Sequence, residues 1–177
     1  KLIKNKKKII VFDVGCYRGI FTKSILSLIG KEKNKFYLFD INKKVKEYIR
    51  NLLNLKNIYF NEVALSNKNG TANYNYNNFF ESAGSSISNI VKNDESWNFS
   101  RKLIFKLLFL KTRSFTKYKV STITLDSFVK RKNIKSIDIL KIDVEGSEYE
   151  LLVGANNTLK KNKINIILVE IIEKKNK

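Results

Sequence analysis

The stretch Ile9–Thr22, IIVFDVGCYRGIFT, decides the fold. Ile9 to Phe12 and then Val14 make an apolar, largely β-branched run interrupted only by Asp13. A run that short, apolar on both faces, predicts a buried parallel strand. Gly15 and Gly19 follow at once. Ile20, Phe21, Ile25, Leu26 and Ile29 then recur at helical spacing, and Gly30 stands where a C-terminal glycine belongs. The unit is strand, glycine turn, helix. A glycine turn lets a ligand lie against the backbone, facing the first helical N–H groups.

Outward from this unit the pattern repeats. Phe36–Ile41, FYLFDI, predicts a second buried strand ending near Asp40. Asn42 can cap one helix carrying Val45, Tyr48, Ile49, Leu52 and Leu53. Ile58–Ser66 predicts a third strand with its exit loop, and NKNG at Asn67–Gly70 a turn. Thr71–Tyr76 alternates and predicts a half-buried strand antiparallel to its predecessor. Val120–Leu125 predicts a further strand, with Asp126 capping a short helix through Arg131. Ile137–Val144 predicts a buried strand that stops at EGSE, and Glu148–Leu159 a single helix with Gly154 inside it. Ile164–Ile172 predicts the last strand.

Strands alternating with helices imply an α/β fold with a mostly parallel sheet covered on both faces. Such sheets bind ligands at the carboxyl ends of their strands, near the switch in strand order. Gly15, Gly19, Asp40, Ala64–Ser66, Asp143, Glu145 and Glu170 all fall at those ends.

The 177 residues suit a single domain, 1–177, and no repeat or linker divides it. Residues 77–119 are not needed for the sheet and are expected to lie on the substrate side as an insertion. The net charge of +19 would attract polyanions, which keeps an RNA-binding protein or RNA methyltransferase as the alternative function. RNA readers interleave aromatic with basic residues, whereas Tyr74, Tyr76, Phe79 and Phe80 sit among asparagines, so nucleic acid is the weaker reading.

Cys16 is the single cysteine. It excludes an internal disulfide or a cysteine-cluster metal site, so no metal is expected, and it fits a reducing, cytoplasmic setting. Without a histidine to activate it, Cys16 is expected to pack rather than to act as a nucleophile. The apolar block Arg101–Arg113, RKLIFKLLFLKTR, is too short to span a bilayer. It is expected to pack on the domain or to make peripheral contact with a membrane interface.

The glycine spacing is G-x-x-x-G, not the G-x-G-x-x-G of dinucleotide folds. Asp13 beside the first glycine would repel a pyrophosphate. It suits a cationic ligand without phosphates, such as S-adenosylmethionine. Asp40 is placed to accept hydrogen bonds from both ribose hydroxyls, as acids do at that position in dinucleotide folds. The alternative for Asp13 is a buried acid capping backbone N–H groups, and for Asp40 a helix N-terminal acid.

DVGCYRGIFT, YLFDIN, NEVALSNKNGTANYNY, SAGSSIS, STITLDSFV and above all ILKIDVEGSEYELLVGANNTL followed by ILVEI resemble the FkbM family of S-adenosylmethionine-dependent methyltransferases, in order from about Ile9 to Ile172. The resemblance implies a three-layer, Rossmann-like class I methyltransferase fold and O-methylation of a sugar, glycan or other small-molecule hydroxyl. By position, Asp13, Gly15, Gly19 and Asp40 would hold the cofactor, with Cys16, Tyr17 and Ile41 beside them. Cys16 and Tyr17 stand where the family more often has Ala and Asn. Ala64 and Leu65 would flank the adenine. Asp143 and Glu145 would sit between cofactor and acceptor as candidate base or hydroxyl clamp, with Lys141 neutralising them. Ser85, Ser86 and Glu148 are the candidate acceptor contacts. The family sheet normally continues into a helix and an antiparallel strand pair, which the chain lacks after ILVEII, so a fragment or a trimmed fold is expected.

Overall fold

The computed structural model describes residues 8–30, 32–77 and 115–170. β1 (Ile10–Val14) leads through the glycine turn into α1 (Ile20–Ile29), then β2 (Lys35–Phe39). α2 (Val45–Tyr48) and α3 (Arg50–Leu53) follow, then β3 (Ile58–Asn61), β4 (Ala64–Leu65) and β5 (Gly70–Asn77). After residues 78–114 come β6 (Phe115–Ile123), α4 (Leu125–Arg131), β7 (Ile137–Ile142), α5 (Glu148–Gly154), α6 (Asn156–Lys160) and β8 (Ile164–Val169).

Five strands form a wholly parallel sheet in the order β3-β2-β1-β7-β8. The chain winds outward from β1 through β2 to β3, then returns to β1's other side for β7 and β8. The switch in strand order therefore lies between β1 and β7. Alternate residues of β1 serve opposite faces. Phe12 and Val14 join a core with Phe39, Phe128, Leu140, Ile142 and Leu151, while Val11 joins Leu26, Phe36, Leu38, Ile49 and Ile139 on the α1 side. Phe12 and Val11 are fully buried, which is why this run is apolar on both faces. No helix among the described residues is long and apolar enough to cross a membrane.

The sequence reading needs correction in four places. First, β5 does not pair with its predecessor. It pairs antiparallel with β6, from Gly70↔Thr122 to Asn77↔Phe115, in a second sheet of order β4-β6-β5. The expected third strand is accordingly split: β3 stays in the main sheet, and the two-residue β4 pairs with β6.

Second, the helix after Asn42 breaks into α2 and α3 at Ile49, whose φ of −100° and ψ of 12° leave the helical region. Asn42 instead accepts the Lys44 N–H at 3.0 Å through its own side chain. Third, Thr124 caps α4, accepting from the Ser127 N–H at 3.1 Å. Asp126 reaches across to the start of α6 and accepts from the Asn157 and Thr158 N–H groups at 2.9 and 2.8 Å. Fourth, the long last helix is two, α5 and α6, divided at Ala155. A Cβ on Gly154 would lie 2.0 Å from the Ser66 carbonyl oxygen, so glycine there lets α5 pack against the exit of β4.

Candidate active site

A cleft of about 240 Å³ opens at the carboxyl ends of the parallel strands, across the switch point. Gly15 and Tyr17 from the turn, Asp40, Ile41 and Asn42 from the exit of β2, and Ala64 and Leu65 from β4 line one part of it. Asp143, Glu145 and Ser147 from the exit of β7 line another, with Glu170 after β8 and Tyr74 from β5.

The turn after β1 is held in place by backbone bonds. Gly15 and Cys16 N–H groups donate to the Phe39 carbonyl at 2.9 and 3.2 Å. Gly15 has φ of 73°, and a Cβ there would stand 1.7 Å from the Asp143 carbonyl oxygen. No side chain fits between the two loops. Tyr17 also has positive φ, 41°, which aims its N–H at Asp40 Oδ2 at 2.9 Å. Asp40 Oδ1 accepts from the Asn42 N–H at 2.9 Å. Each oxygen thus has one backbone donor and keeps lone-pair capacity for another. Burial pushes the Asp40 carboxyl up from its usual value, while the Asn42, Tyr17 and Ile41 amides and the charge of Lys141 oppose that rise.

Lys141 joins the two sides of the switch. Its Nζ donates to the Gly15 carbonyl at 2.8 Å and pairs with Asp143 Oδ2 at 3.0 Å and with Asp13 Oδ1 at 3.4 Å. Its charge thus serves Asp143, as expected, and also Asp13 beneath the turn. Glu145 occupies the left-handed region at φ of 52°, followed by Gly146 at 96°. Backbone in that region is strained for a glutamate.

Not every expected cofactor residue faces the cleft. Asp13 is fully buried beneath α1, where Oδ2 accepts the Thr22 hydroxyl at 2.7 Å. Burial raises its carboxyl, opposed by the Lys141 charge and the Thr22 hydroxyl. Its position is that of a buried acid anchoring the turn, not of a group lining the cleft. Cys16 is buried in the α1-side core, and burial, together with the Asp40 and Asp13 charges, pushes its thiol up, away from thiolate chemistry. Gly19 faces α3, where an added Cβ would lie 2.6 Å from Leu52 Cδ1.

Glu148, expected to touch the acceptor, folds back on its own loop and accepts the Gly146 and Val144 N–H groups through Oε1 at 3.0 and 3.3 Å. Ser85 and Ser86, and the apolar block 101–113, lie outside the described residues.

Three cleft residues with polar side-chain groups escaped the sequence reading as site residues. Asn42 was legible only as a cap. Tyr74 reaches the cleft because β5 belongs to the second sheet, a pairing that bridges residues 78–114. Ser147 was overshadowed by its acidic neighbours; its hydroxyl is buried and has no hydrogen-bond partner among the described residues.

A doubly wound parallel sheet with a glycine turn at its switch point and a carboxylate ending the neighbouring strand defines a Rossmann-like α/β domain. The chain belongs to the FkbM methyltransferase domain family, whose model matches residues 13–177. It is 23% identical over 159 residues to the 2-O-methyltransferase NoeI of Sinorhizobium fredii (strain NBRC 101917 / NGR234), which covers 87% of the chain and 60% of that protein. The chain thus spans about three-fifths of that curated relative's length. The crystal structure of methyltransferase FkbM from Methylobacillus flagellatus KT matches 93% of the chain and 34% of its own, with a TM-score of 0.55 and 12% identity, a likeness of fold.

Proposed function

We propose that the chain is the catalytic domain of an S-adenosylmethionine-dependent O-methyltransferase acting on a hydroxyl of a sugar, glycan or other small molecule. The observation that carries this reading is Asp40. Its carboxylate is fixed by the Tyr17 and Asn42 amides at the rim of the cleft, with acceptor capacity left over for the paired hydroxyls of a ribose. Ala64 and Leu65 give the apolar surface an adenine needs next to that ribose. Family membership and the name of the Sinorhizobium relative support methyl transfer to oxygen.

Bound in the cleft, S-adenosylmethionine would supply an electrophilic methyl group on a sulfonium. The residues of β7 would do the rest. Asp143 would orient the acceptor hydroxyl and draw off its proton, since an alcohol gains nucleophilicity as that proton leaves. Lys141 holds the Asp143 carboxylate in one position, and placement of the attacking oxygen supplies much of the rate. Glu145 is the second candidate for the proton. With no histidine in the chain, a carboxylate is the natural base here.

Calorimetric titration with S-adenosylmethionine and, separately, with NAD tests the cofactor. Release of S-adenosylhomocysteine in the presence of a panel of sugar hydroxyl acceptors tests the reaction. Saturable S-adenosylmethionine binding with no NAD binding is expected. Binding of NAD alone would overturn the reading.

A further inference from the structure

A second and larger cavity, about 630 Å³, lies between α4 and α6. It stands at the opposite end of the sheet from the cleft, where β7 and β8 begin and the Ile137 N–H donates to the Lys163 carbonyl at 2.7 Å. Lys130, Lys135, Lys161 and Lys163 line it. Two acid-free stretches, 127–137 and 151–169, deliver these lysines.

The one carboxylate in the lining is already committed. Asp126 Oδ2 accepts from the Asn157 N–H and Nδ2 at 2.9 and 3.0 Å, and Oδ1 from the Thr158 N–H and hydroxyl at 2.8 and 2.6 Å. Among the described residues, none of the four lysines forms a salt bridge. Four ammonium groups around one concavity repel one another unless an anion sits between them.

We infer that this cavity binds an anionic head carrying more than one phosphate or sulfate group. Four lysines against one aspartate leave the lining with three positive charges in excess, more than a single oxyanion would balance. Lysine ammoniums act on such a group as point charges without the fixed fork of arginine, so the site selects charge density over shape. The cavity is separate from the methyl-transfer cleft, and its occupant would leave that cleft open.

The test uses inorganic pyrophosphate by calorimetry, and flotation with vesicles of roughly nine parts phosphatidylcholine to one of phosphatidylinositol bisphosphate, a lipid head with more than one phosphate. Two triple variants are compared with wild type. Lys130→Gln/Lys161→Gln/Lys163→Gln neutralises the cavity; Lys68→Gln/Lys117→Gln/Lys119→Gln removes the same charge from an exposed face elsewhere. Melting temperatures confirm that both variants fold.

The expected result is saturable binding to wild type that falls about tenfold or more in the cavity variant and much less in the control, as charge-assisted contacts require. Cavity-dependent binding of pyrophosphate indicates a soluble ligand, and of the vesicles alone a lipid headgroup; either upholds the inference. Binding of neither probe to wild type overturns it. So does an equal loss in both variants, which would mean diffuse surface charge only.

Discussion

The Asp143 carbonyl oxygen occupies the space where Gly15 would carry a Cβ, 1.7 Å from that point. The two loops that flank the switch in strand order are in direct backbone contact. Gly15→Ala therefore must push them apart and force an alanine to φ of 73°. Both penalties act together, and the expected loss is at least about 3 kcal/mol, read from denaturant unfolding. A melting temperature close to wild type would show that the loops separate freely.

Asp40 carries two roles at once. Asp40→Ala should weaken S-adenosylmethionine binding by roughly 1.5–3 kcal/mol, the scale for hydrogen bonds to a charged group. It also strips the Tyr17 and Asn42 N–H groups of their acceptor, so stability should fall by about 1–2 kcal/mol as well. Calorimetry and thermal melting on the same sample separate the two effects. Unaltered cofactor affinity would place the ribose elsewhere.

Asp143→Asn keeps the side chain's shape and removes its charge. Cofactor affinity should stay within a few-fold while turnover of a hydroxyl acceptor drops by roughly 10²-fold or more. Turnover at the wild-type rate, with cofactor still bound, would shift the role to Glu145.

Asp126 gives a pH signature. Burial alone would raise its carboxyl, but the bonds from Thr158 and Asn157 outweigh that and hold it below the usual 3.8. A lowered folded value means the stabilisation is present above about pH 4 and is lost as pH falls through the folded value. Asp126→Ala should cost about 1–2 kcal/mol at neutral pH, the scale of a lost helix cap. The gap to wild type should close on acidification. A gap independent of pH would mean the loss is one of packing.

Among the described residues β8 is the last strand on its side of the main sheet, and Ile167 and Leu168 are 38% and 46% exposed on it. Apolar edges invite pairing with other chains. Ile167→Lys should lower self-association in sedimentation experiments without lowering the melting temperature. A wild-type chain that stays monomeric at high concentration would remove the rationale.

Much of the main sheet was legible because its signals are local. The run around Phe12 is apolar on both faces since both faces are covered, and the glycine turn follows it directly. Asp40 was legible for the same reason, standing one residue beyond β2. What the sequence concealed depends on contacts between distant segments. Gly154 reads as a weak point in a helix until Ser66 is known to press against it. Tyr74 reads as part of a hairpin with its predecessor, whereas its partner is Tyr118, far along the chain. Asp13 and Asp40 look alike as strand-end acids. Asp13 stands one residue before the end of β1, under α1, whereas Asp40 stands one residue beyond β2, at the cleft, two positions further along in register.

The last rung of the β5–β6 ladder pairs Asn77 with Phe115. The two ends of the intervening stretch are therefore held side by side. Closing a longer or shorter excursion there changes the entropy only slowly with length, and the ladder itself need not alter. The 78–114 segment is consequently a cassette: it could be traded for that of another member of the family, with the sheet, the turn and Asp40 left as they are. On the proposed reading of this stretch as the acceptor side, such an exchange should change acceptor use and leave cofactor affinity as it is, a pair of outcomes that calorimetry and turnover assays check separately.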